Sequence, residues 1–81
     1  EAYDKAIANG ANDEIIYNNR GKAKLNAGMA KESISDFDRS ISLKNDYTQA
    51  YKNRALANYS LNNFQQAAND MAIVVSRGQS G

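Results

Sequence analysis

Apolar and small residues recur at steps of three and four along two segments of this chain, about 30–44 and 64–75. Such spacing places them on one face of an α-helix. Two preceding segments, about 14–27 and 48–61, carry an aromatic residue, a small residue and a polar residue at the same steps. The pattern predicts an all-α chain. The stripe positions are Tyr17, Gly21, Lys24, Ala30, Ser33, Ile34, Phe37, Ile41, Lys44, Tyr51, Ala55, Asn58, Phe64, Ala67, Ala68, Met71, Val74 and Val75.

Short polar breaks at 28–29 and 62–63 separate these segments, and the chain has no proline. Asn12 or Asp13 can cap the first helix, because a side-chain oxygen at that position accepts from a free backbone N–H group. Asp46, with a glutamine three residues later, resembles a capping box for the third helix. We therefore expect two helical hairpins.

The hairpins are copies of each other at a fixed offset along the chain. YNNRGKA at 17–23 returns as YKNRALA at 51–57, and no gap is needed to align the two halves. A constant period of about 34 residues is typical of stacked helical repeats. Residues 3–8 match 37–42 in kind, which predicts an earlier copy. We divide the chain into a second-helix remnant of an upstream unit (1–13), one unit (14–47) and another unit with a short flexible tail (48–81).

Two oppositely charged pairs also follow the period. Arg20 and Asp36 form the first pair, and Arg54 and Asp70 repeat it at the same separation. In each pair the arginine is on the first helix of a hairpin and the aspartate is on the second. We expect a structural ion pair in each unit, with the arginine stem packing beside it.

Composition narrows the functional classes. The 81 residues allow one domain, and 42% apolar with 23% charged residues is typical of a globular protein. With a net charge of only +1, the chain has no strong positive electrostatic field that would favour binding of nucleic acid. Histidine and cysteine are both absent, and no phosphate loop or metal spacing occurs, so we predict no enzyme, no metal and no cofactor. The longest apolar run, 71–75, is too short for a membrane span. The absence of cysteine is compatible with the cytosol, and we expect a cytoplasmic protein.

A 34-residue helical hairpin with an aromatic near its start, a small residue four later, and a small residue plus an aromatic in its second helix resembles the tetratricopeptide repeat. The resemblance covers essentially the whole chain. It implies antiparallel helix-turn-helix units stacked as a right-handed α-solenoid. The sequence departs from the family pattern where Leu, an aromatic or Pro is usual, at Arg20, Arg54, Lys24, Asn58 and Asn45.

The resemblance also implies a non-catalytic protein-interaction module, whose first helices line a concave groove for an extended peptide. Two lysines and no carboxylate in the groove suggest an acidic peptide or a free C terminus as the partner. A clamp for chaperone tails is not expected, because Gln49 and Asn53 stand where that clamp has Lys and Arg. Carried over by position, the groove residues are Asn18, Asn19, Lys22, Asn26, Lys52, Asn53, Leu56 and Tyr59.

A structural alternative stays open. The last helix carries Met71, Val74 and Val75, and such a stripe has to be covered by another helix or another chain. The chain would then be a spacer or a self-assembling element, with a homodimer formed through exposed terminal helices or by helix exchange.

Overall fold

The computed structural model describes residues 13–77. They form four helices: α1 (Glu14–Asn26), α2 (Ala30–Leu43), α3 (Thr48–Ser60) and α4 (Phe64–Ser76). No strand occurs in this part of the chain, so the all-α prediction is confirmed. The upstream remnant predicted over 1–13 falls outside the described residues except for Asp13, as does the end of the predicted tail.

Of the two predicted helix caps, the one at Asp13 is confirmed and the one at Asp46 is not. Asp13 caps α1, since its carboxylate accepts from the N–H groups of Ile15 at 2.8 Å and Ile16 at 3.2 Å. The capping box predicted at Asp46 is wrong. Tyr47 is the N-cap of α3 and makes no side-chain bond, because Asp46 lies one residue too early to reach the first amides. Asp46 instead pairs with Lys44 at 3.1 Å, and the hydrogen bond from Lys44 lowers the pKa of Asp46.

The first helix of each hairpin ends in the same way. Gly28 and Asn62, which occupy equivalent positions of the repeat, both adopt a left-handed backbone, with φ of 82° and 65°. The next residue in each turn, Met29 or Asn63, donates its N–H back to the carbonyl five residues earlier at 2.8 Å. This is the Schellman arrangement, in which glycine carries no steric penalty and asparagine carries a small one.

We therefore expect Asn62→Gly to raise the free energy of unfolding by about 0.5 kcal/mol, because the left-handed position no longer holds a Cβ atom. The reciprocal variant Gly28→Asn should lower it by a similar amount. Urea unfolding of both variants, followed by circular dichroism, measures the two effects. Changes of the same sign would contradict this explanation of the turns.

The hairpins stack through α3, which packs on α2 and also touches α1. The core at this junction contains Ala30, Phe37 and Ala57, with Leu25 and Ile34 packed against it. Phe37 is fully buried. Its ring lies so close to Gly21 that a Cβ atom there would be 2.5 Å from Cε1 of Phe37. The first hairpin is therefore built around a ring that fills the space of a missing side chain.

An ion pair joins the two helices of each hairpin. Nε of Arg20 donates to Asp36 at 2.9 Å, Nε of Arg54 donates to Asp70 at 2.9 Å, and a second guanidinium nitrogen bonds each carboxylate. Both aspartates are buried. The hydrogen bonds from Arg54 to Asp70, more than those to Asp38, raise the pKa of Arg54, so its guanidinium stays charged.

Candidate functional site

A polar cavity of about 560 Å³ opens between α1 and the start of α3. Its two lysines come from different units: Lys22 lies on α1 and Lys52 lies on α3. The remaining lining side chains are hydroxyl and amide groups, which can donate or accept hydrogen bonds. The complete lining is Lys22, Tyr47, Thr48, Gln49, Lys52 and Asn53.

The electrostatics of this polar cavity favour an anion. No carboxylate lines it. Lys22 and Lys52 are exposed, and neither takes part in an ion pair within residues 13–77. The first turn of α3 adds no acidic residue and its N-cap makes no side-chain bond. Two uncompensated positive charges therefore face the same space.

Asn53 borders the cavity and also joins the two units. Its Nδ2 group donates to Oδ1 of Asn18 at 2.9 Å. Asn18 is only 1% exposed, so it is a buried structural amide. The expectation that Asn18 presents its side chain to a peptide is corrected by this burial. The cause is α3, which packs beside α1 and covers Asn18.

The other predicted groove residues occupy different places. Asn19 is half-buried and Asn26 is exposed, and neither lines the polar cavity. Tyr47 and Thr48 were absent from the predicted groove. The signal that could have found them is their position at the start of α3, next to Gln49, which the sequence comparison places at a peptide-clamp position.

Leu56 and Tyr59 belong to a separate surface on α3 and α4, which we call the apolar groove. Its volume is about 420 Å³. Leu56, Tyr59, Phe64 and Met71 are 51%, 66%, 56% and 41% exposed. The rings of Tyr59 and Phe64 meet edge to face with centroids 5.3 Å apart. Its lining is Ala55, Leu56, Tyr59, Phe64, Ala67, Ala68 and Met71.

The three residues predicted for self-association do not share one surface. Met71 lines the apolar groove, and Val75 is 69% exposed. Val74 is only 4% exposed, which corrects its assignment to an exposed stripe. The repeat explains its burial. Ser40, its counterpart in the first hairpin, is also fully buried and donates to the carbonyl of Glu14 within that hairpin at 2.8 Å.

Other site types find no basis in the described residues. No group of three or more acidic side chains in residues 13–77 could hold a metal ion. In the same range, none of the helices has the length and apolar character needed to cross a membrane.

The chain is similar to segments of three longer proteins. It is 32% identical over 75 residues to serine/threonine-protein phosphatase T of Aspergillus oryzae. It is 26% identical over 76 residues to the peroxisomal targeting signal receptor of Saccharomyces cerevisiae, and 40% identical over 63 residues to protein FlbA of Caulobacter vibrioides.

These alignments cover 93%, 94% and 75% of this chain but only 16%, 12% and 11% of the relatives. The chain thus spans less than a fifth of the length of the curated relatives it matches. No protein-family model matches the chain, and no solved structure gives a significant match.

Proposed function

We propose that this chain is a pair of tetratricopeptide repeats that binds an extended peptide segment of a partner protein. In this proposal an acidic side chain or a C-terminal carboxylate of the peptide lies between Lys22 and Lys52. The observation that carries the proposal is the polar cavity itself, which two units build together and which contains two lysines without an acidic partner among the described residues.

Hydrogen-bonding capacity supports a peptide as the ligand. Gln49 and Asn53 each carry a carbonyl oxygen and an NH₂ group, so they can bond the main chain of a peptide from either side. The bond that Asn53 donates to Asn18 uses its Nδ2 group, and its Oδ1 atom accepts no hydrogen bond from residues 13–77. One relative is named as a receptor for a targeting signal, which fits recognition of a protein segment. The proposal includes no catalysis, since the sequence has neither histidine nor cysteine.

Removing either lysine should weaken the binding of acidic peptides. The probe is a pair of fluorescein-labelled decapeptide pools that differ only in carrying Asp and Glu or the neutral amides at the varied positions. We expect Lys22→Gln and Lys52→Gln each to raise the Kd of the acidic pool about 2–10-fold, and to flatten its dependence on salt. Fluorescence anisotropy at two salt concentrations measures both effects.

The matched control is Lys31→Gln, an exposed lysine on α2 away from the cavity. It should leave the Kd unchanged. Amide NMR shifts on adding the acidic pool should cluster at Thr48, Gln49 and Asn53. Equal binding of the two pools would refute an acidic side chain between the lysines. An equal loss in all three lysine variants would refute a carboxylate of either kind at this place.

A second candidate is self-assembly, with the chain acting as a spacer that stacks on further helices. The observation that favours it is the exposure of Phe64, Tyr59 and Met71 on the last hairpin. Sedimentation across a wide concentration range tests it, because a self-assembling chain changes its average mass with concentration and a peptide-binding monomer does not.

A further inference from the structure

The apolar groove lies on the second unit. It is equivalent in the repeat to the surface of the first unit that α3 covers. Moving the lining residues back by one period leads to Gly21, Lys22, Leu25, Ala30, Ser33, Ile34 and Phe37. Four of these, namely Leu25, Ala30, Ile34 and Phe37, form the junction core with Ala57 of α3. The groove is therefore the continuation of an interface that this molecule already makes.

The difference in exposure shows how much surface that interface covers. Phe37 is fully buried and Ala30 is 8% exposed under α3. Their counterparts Met71 and Phe64 are 41% and 56% exposed. An apolar face of this kind is typical of a binding site, and a methionine in it can adapt its shape to a partner.

From this geometry we propose that the apolar groove is a second binding surface, and that its occupant is an amphipathic helix of a partner protein. The helix has alanine-sized residues seven positions apart and a carboxylate three positions after the first of them. The spacing of small residues is taken from α3, whose Ala57 lies in the junction core and whose Ala50, seven residues earlier, is also fully buried. Seven residues are about two helical turns, so both lie on the face that approaches the hairpin.

The carboxylate on the incoming helix is inferred from one residue that differs between the two units at the edge of the interface. Asn53 on α3, three residues after Ala50, donates to Oδ1 of Asn18 in the first unit. The counterpart of Asn18 in the second unit is Lys52. A lysine ammonium donates and cannot accept, so the incoming helix has to offer an acceptor at that position. A carboxylate forms the stronger, charge-assisted bond.

A second difference between the units shows that the incoming helix does not need an arginine. Arg54 on α3 bonds Asp38 of the first unit at 2.8 Å. The counterpart of Asp38 in the second unit is Ala72. An arginine on the incoming helix, one position after the carboxylate, therefore finds no acid in the second hairpin at this place. The groove thus selects a helix that differs from α3 in a predictable way.

The test uses three capped peptides and the full 81-residue chain. The first peptide has the sequence of residues 47–61, the second carries Asn53→Glu, and the third carries Asn53→Glu with Ala57→Leu. We expect the second peptide to bind about 5–10-fold more tightly than the first, which is the range of one charge-assisted bond. The third should lose at least about 10-fold, because leucine is too large for the close approach.

Two variants of the chain locate the contact. Leu56→Asp should abolish binding of the second peptide, whereas Ile15→Asp, at a similarly exposed position on α1, should not.

Lys52→Gln should bring the ratio of the first two Kd values close to one. Circular dichroism of every variant checks that the fold is kept. Lys52 belongs to both proposals, so Lys22→Gln and Leu56→Asp are the variants that separate them. Lys22→Gln should weaken binding in the peptide cavity and leave binding of the helical peptides unchanged, and Leu56→Asp should do the reverse.

Equal binding of the first two peptides, or binding that survives Leu56→Asp, would overturn the proposal. So would a chain that sediments as a dimer and becomes a monomer on Leu56→Asp, since a second copy would then be the occupant of the groove.

Discussion

Replacing Asp36 by alanine should lower the free energy of unfolding by about 2–4 kcal/mol. The reason is that Arg20, of which only 20% of the side chain is exposed, loses a carboxylate that accepts two of its hydrogen bonds. Lys24 loses the same partner, which lies 3.2 Å from its Nζ atom. For a chain of 81 residues the total stability is about 4–12 kcal/mol, so the loss is a large fraction of it. Urea unfolding followed by circular dichroism measures the change.

Asp38→Ala is the matched control for this experiment. The chemistry of the substitution is the same, but the side chain of Asp38 is 56% exposed and shares Arg54 with Asp70. An exposed pair of this kind contributes about 0–1 kcal/mol. Arg20→Leu should be milder than Asp36→Ala only if the leucine side chain packs where the arginine stem lay. A small and equal effect of both aspartate variants would show that the buried pair contributes nothing.

Introducing a methyl group at Gly21 should cost about 1–3 kcal/mol, although alanine is the better helix former by about 1 kcal/mol. The new Cβ atom would lie 2.5, 2.8 and 2.9 Å from three atoms of the Phe37 ring. That ring is fully buried, so it can move aside only by displacing its neighbours. The clash therefore exceeds the gain in helix propensity.

The second hairpin contains the rescue for this variant. Ala55 and Met71 stand where the first hairpin has Gly21 and Phe37. The double variant Gly21→Ala with Phe37→Met should recover most of the stability lost by Gly21→Ala alone. Chemical unfolding of the two single variants and the double variant gives the coupling energy. Strictly additive costs would show that the ring is not the cause.

Period and spacing predicted the helices and the partners within each hairpin. The bounds of α1 and α3 follow from the stripe and from Asp13, and the arginine–aspartate pairs lie at the spacing that the repeat singles out. These features depend on contacts inside one hairpin. Local rules of helix geometry are enough for them.

The burial of individual side chains was less predictable. Asn18 was assigned to a groove and Val74 to an exposed stripe, but α3 covers Asn18 from the next hairpin and Val74 is buried within its own hairpin. A linear pattern does not show how far a neighbouring helix extends over a side chain.

Arginine contacts with tyrosine were missed for another reason. Arg39 lies over Tyr17 and Arg77 lies over Tyr51. The two tyrosines are equivalent in the repeat, but the counterpart of Arg39 in the second unit is Ile73 and not Arg77. Equivalent contacts can thus come from positions that are not equivalent.

Arg54 has a consequence for how the molecule opens. One guanidinium group donates to Asp70 in its own hairpin and to Asp38 in the preceding one. In a linear array of units, stability is the sum of each unit and its interface with the next. The hydrogen bond between Arg54 and Asp38 stabilises the interface between the hairpins. It is lost when one hairpin opens alone, so the state with one hairpin open and the other closed is unfavourable. Amide protons of α2 and α4 should therefore exchange with solvent through a shared, cooperative opening.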